Sequence, residues 1–118
     1  MSRTHHPNKE EATGNMGNKF DANVSACMIL GRVMEAVGYN IQRHPSVASL
    51  WQPSSRFSMS EEECMDAATK LEALPDARIQ LIFENVKDCM EEDATYMDLK
   101  TYIAEWARFL KTCGGYTV

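Results

Sequence analysis

The sequence predicts an all-α protein: a compact bundle of four main helices and one short helix, preceded by a disordered N-terminal arm. Three observations carry this expectation. Between residues 23 and 113, apolar side chains recur at steps of three and four, which gathers them on helix faces. Several of these runs are bracketed by residues that cap helices. Most of the six glycines and four prolines fall outside the periodic runs. A chain of 118 residues holds one domain. The expected division is a flexible arm over 1–21 and a helical bundle over 22–118.

The arm is polar, with Asn8, Asn15 and Asn18, two glycines and Pro7. Its apolar residues, Met1, Ala12, Met16 and Phe20, bury too little to offset the entropy of ordering it. It reads as a flexible terminus, with the sharper alternative that it orders on a partner. His5-His6 is too short for a metal tract. Residues 1–19 lack an apolar segment, so no secretory signal is expected.

The first helix is expected from Asn23 to Val37, with Asp21, Asn23 or Ser25 as cap and Gly38 as stop. Its apolar stripe is broad, so the helix should be buried on much of its circumference. A short helix should open at Pro45 and run to Trp51. Trp51 and Phe57 flank the break that follows and would plug one end of the core; Trp51 is also a candidate binding hot spot. The next helix has the clearest start: Ser60 and Glu63 have capping-box spacing, and Met59 and Cys64 occupy the hydrophobic-staple positions. Its stripe of Cys64, Ala67, Ala68 and Leu71 is narrow and small, which predicts a close helix contact.

Leu74-Pro75-Asp76 marks a tight connection into a helix that reaches about Met90. Glu91-Glu92-Asp93 then sets three acids at the unfavourable carbonyl end. The last helix runs from Thr95, with Asp98 at the capping-box position, to Gly114. Its face of Leu99, Tyr102, Ile103, Trp106, Phe109, Leu110 and Cys113 needs partners to bury it. The predicted core is Val24, Met28, Val33, Val37, Leu71, Ile79, Ile82, Phe83, Val86, Tyr102, Ile103, Trp106 and Leu110.

Charge is concentrated. Residues 61–98 carry twelve acids against Lys70, Arg78 and Lys87, within a net charge of −5 for the whole chain. The excess reads as an acidic helical hairpin. Such a surface repels phosphates, so direct nucleic-acid binding is not expected. It would attract a basic partner and speed the encounter. The candidate partner-binding residues are Glu61, Glu62, Asp66, Glu84, Asp88, Glu91, Glu92, Asp93 and Trp51. The bland alternative is a solvated face. The methionines inside helices admit a similar pair of readings, an adaptable groove or gap-filling core.

Chemistry is harder to find. The four cysteines are widely spaced and read as reduced core thiols, which places the chain in the cytoplasm. No C-x-x-C exists and the three histidines do not complete a metal site. The 91–98 segment lacks the glycine and ligand spacing of a calcium loop. No nucleophile–base motif or phosphate loop is present, and His44 before Pro45 suits a turn. The expectation is therefore a protein that is no enzyme, holds no cofactor or metal, and meets no membrane. It would be a small regulator or inhibitor acting through helical faces, for instance a virus-encoded blocker of a host nucleic-acid-handling complex. Two alternatives stand beside it: a structural or assembly subunit, and a helix–turn–helix regulator of DNA, which the acids around Arg78, Gln80, Asn85 and Lys87 disfavour. A homodimer is compatible with the wide apolar stripes.

Overall fold

Four expected helices form where the periodicity places them, but they do not make an all-α bundle. The computed structural model describes residues 2–40, 42, 44 and 58–118. In chain order these form β1 (Ser2–Pro7), β2 (Phe20–Asn23), α1 (Val24–Ala36), β3 (Ser58–Met59), α2 (Glu61–Glu72), α3 (Asp76–Val86), a 3₁₀ turn (Lys87–Cys89), α4 (Tyr96–Thr112) and β4 (Tyr116–Thr117). The strands build one four-stranded antiparallel sheet in the order β2-β1-β4-β3. The all-α bundle is therefore corrected to helices packed with a small sheet. The expected helix from Pro45 to Trp51, and Trp51 and Phe57 themselves, lie outside the described residues.

The disordered arm is the second correction. β1 pairs with β2 in the register Ser2↔Asn23 to His5↔Phe20, and with β4 through His6↔Thr117 and Pro7↔Tyr116. Pro7, which cannot donate to a ladder, closes the strand where that loss matters least. Asn15 ties the connecting loop to β2: its side-chain amide donates to the Asp21 carbonyl, and its side-chain oxygen accepts from the Asp21 amide, both at 2.8 Å. Beyond β1, the Asn8 amide donates to the Gly115 carbonyl at 2.9 Å and the Thr13 amide to the Thr112 hydroxyl at 2.9 Å. Composition undercounts what this segment buries. His5, Phe20 and Ala22 are all buried, and Trp106, from the far end of the chain, packs against the rings of His5 and Phe20.

The helix caps follow the sequence closely. Asn23 Oδ1 accepts from the Ala26 amide at 2.8 Å and opens α1. Ser60 and Glu63 form a complete capping box. The Thr95 amide donates to Asp98 Oδ2 at 2.8 Å. Gly38 ends α1 at φ +92. α3 stops short of the expected Met90, giving way to the 3₁₀ turn after Val86, where Asp88 and the following acids crowd the carbonyl end.

α2 packs closely on α4 through its small-residue stripe, while α1 and α4 flank α3. α2 and α3, though joined by only three residues, make little contact with each other. The sheet and α4 enclose an aromatic cluster of His5, Phe20, Trp106, Phe109 and Tyr116, all fully buried. Most of the predicted core is buried or packs against it. Val24 and Met28 are exceptions, 49% and 48% exposed, because the stripe on α1 is wider than the face its neighbours cover. Cys27, Cys64 and Cys113 are buried free thiols. Burial pushes the Cys27 thiol up, and contact with Cys113 together with burial pushes Cys64 up, so both stay protonated.

Gly115 joins α4 to the sheet. It sits at φ +91, and a Cβ there would lie 2.9 Å from the Met59 carbonyl oxygen and 3.0 Å from the Glu61 amide nitrogen. Gly115→Ala therefore combines backbone strain with a clash against two backbone atoms. A loss of roughly 2 kcal/mol or more is expected in urea unfolding. An unchanged midpoint would mean that the strand is not clamped there.

Candidate functional site

The predicted acids do not form one face. Glu61 and Glu62 open α2, Asp66 lies one turn on, Glu84 sits near the end of α3, Asp88 is in the 3₁₀ turn, and Glu91, Glu92 and Asp93 occupy the loop before α4. Ion pairing separates them further. Glu61 pairs with Lys9 at 2.8 Å, and Glu84 with Lys87 at 2.9 Å. Asp66 pairs with Lys70 at 2.9 Å and accepts a hydrogen bond from the Tyr39 hydroxyl. The Tyr39 hydrogen bond, then Lys70, holds the Asp66 carboxyl below its usual range. These exposed pairs add little stability, but they occupy the carboxylates.

Glu62, Asp88, Glu91, Glu92 and Asp93 carry no ion pair among the described residues. Four of these five fall between residues 88 and 93. Among the candidate acids, those without an ion pair thus gather in the segment linking α3 to α4, with Glu62 apart from them on α2.

That segment borders a cleft of about 610 Å³ between α1 and the start of α4. Asn23, Ser25, Ala26 and Ile29 line it from the first turns of α1. Met90, Glu91, Asp93, Asp98 and Tyr102 line it from the other side. Tyr102 also packs on Phe20, with ring centroids 5.8 Å apart. Its hydroxyl oxygen is buried without a hydrogen-bond partner, and desolvation raises its pKa, so the phenol stays protonated. Sequence reasoning found the charge but missed Ala26, Ile29 and Tyr102 as lining residues. No local signal marks them, because the two walls of the cleft come from distant stretches of the chain.

Among the described residues, no group of three or more His, Cys, Asp or Glu side chains is placed to hold a metal ion. No helix among them is long and apolar enough to cross a membrane. Compared with known proteins, the chain matches no protein-family model, no curated protein and no solved structure.

Proposed function

We propose that this chain is a non-enzymatic protein-binding module, a small regulator that meets a basic surface of a partner protein with the acidic segment 88–93. The observation that supports this reading most is the run of exposed carboxylates at Glu91, Glu92 and Asp93 without ion pairs among the described residues. Other candidate acids, Glu61, Asp66 and Glu84, already have lysine partners. Unneutralised charge on an exposed loop is what an incoming cationic surface can use; it contributes chiefly to encounter rate and orientation. A nucleic-acid-binding protein suits this face well, since its lysines and arginines are arranged for phosphates.

The test is affinity capture from cell extract at low and high salt, with Glu91→Gln/Glu92→Gln/Asp93→Asn beside the parent chain. Capture of a basic protein should fall steeply with salt and in the triple variant. Capture indifferent to both would overturn the reading and favour an apolar assembly contact.

A further inference from the structure

We propose that the cleft between α1 and the acidic segment receives one arginine side chain of the protein partner, held by Glu91 and Asp93. This rests on the acidic-face reading and adds the residue type that is recognised. The cleft, at about 610 Å³, falls within the range of about 300–1,000 Å³ typical of small-ligand sites, so a whole side chain can enter it. Ala26 and Ile29, one helical step apart on α1, join Met90 in offering apolar surface to a methylene stem. Glu91, Asp93 and Asp98 add carboxylates, and among the described residues no lysine, arginine or histidine lines the cleft.

An anion is the competing occupant, because the amide end of α1 is there. A helix N-terminus carries about half a positive charge, and the Ala26 amide is already taken by Asn23. Three carboxylates outweigh it. Between the two cationic side chains, the guanidinium fits better. Its planar fork matches a carboxylate, it is weakly hydrated, and it stacks on aromatic rings such as that of Tyr102. The Tyr102 ring lines the cleft, while its hydroxyl oxygen is buried without a hydrogen-bond partner.

The test is an NMR titration of the full chain with N-acetyl-arginine methylamide, and with its lysine and citrulline counterparts. Saturable shifts are expected at Ala26, Ile29, Met90 and Tyr102. Binding should weaken by about tenfold or more for citrulline, which keeps the shape and loses the charge, and in Glu91→Gln/Asp93→Asn, but not in Glu62→Gln. Equal binding of citrulline, or shifts spread evenly over exposed carboxylates, overturns the proposal. Equal binding of the lysine compound overturns the choice of arginine. If salt-dependent capture of a basic protein persists while the cleft stays silent, the cleft assignment falls and the acidic-face reading stands. If the cleft fills while capture ignores salt, the reverse holds.

Discussion

Trp106→Ala should remove most of the protein's stability. The side chain is fully buried and touches parts of the fold that are distant in sequence. Its ring centroid lies 5.2 Å from His5 in β1, 4.9 Å from Phe20 in β2 and 5.9 Å from Tyr116 in β4. Its indole N–H points at the Met34 sulfur of α1, 3.4 Å away. Truncating a buried tryptophan costs about 3–5 kcal/mol, against a total of about 5–15 kcal/mol for a typical domain. The urea midpoint should fall accordingly, or the variant should fail to fold. Leu81→Ala, at a position 62% exposed, is the control and should stay within about 0.5 kcal/mol. A loss below about 1 kcal/mol in Trp106→Ala would mean that the N-terminal strands are not docked on α4.

Stability should also fall as pH drops from about 6.5 towards 4, and His5 should account for a separable part of that fall. The ring is fully buried among Phe20, Trp106 and Tyr116. His5 Nδ1 donates to the Phe20 carbonyl at 3.0 Å, which leaves Nε2 as the acceptor nitrogen, buried without a partner. Desolvation disfavours the imidazolium and lowers the pKa from 6.5 to about 4; the Phe20 carbonyl opposes this, Arg3 and His6 add to it, and Asp21 opposes it. Between those two values the unfolded chain holds a proton that the folded chain excludes. Stability therefore rises with pH across that window and is depressed below it. A tenfold change in proton affinity is worth about 1.4 kcal/mol, so the His5 contribution is on the order of 3 kcal/mol. Chemical denaturation of His5→Phe and the parent chain at about pH 4.5, 5.5 and 7 isolates it, since the carboxylates titrate in both. The parent should lose more stability on acidification; parallel curves would place His5 in contact with water.

The helices were legible because their signals are local. Ser60 and Glu63, or Thr95 and Asp98, lie three residues apart, and the face of α4 repeats over seventeen residues. The strands were not legible, for a physical reason. β3 and β4 are two residues each, too short to show alternation. β1 carries Pro7 and two histidines and resembles a polar tail until Phe20, Trp106 and Tyr116 close over His5. The candidate site divides in the same way. The acid excess could be counted, but its partition could not, because whether Glu61 is neutralised depends on where Lys9 comes to rest.

By itself the sequence determined where four helices begin, where α1 stops at Gly38, and which face of α4 is apolar, since caps and helical periodicity act within a few residues. Tertiary structure alone decided that the N-terminal segment is a strand, that Val24 and Met28 stay in water, and that Glu91 and Asp93 border a cleft beside α1. Those outcomes depend on pairing and packing between residues far apart in the chain, and no window along the sequence contains both partners.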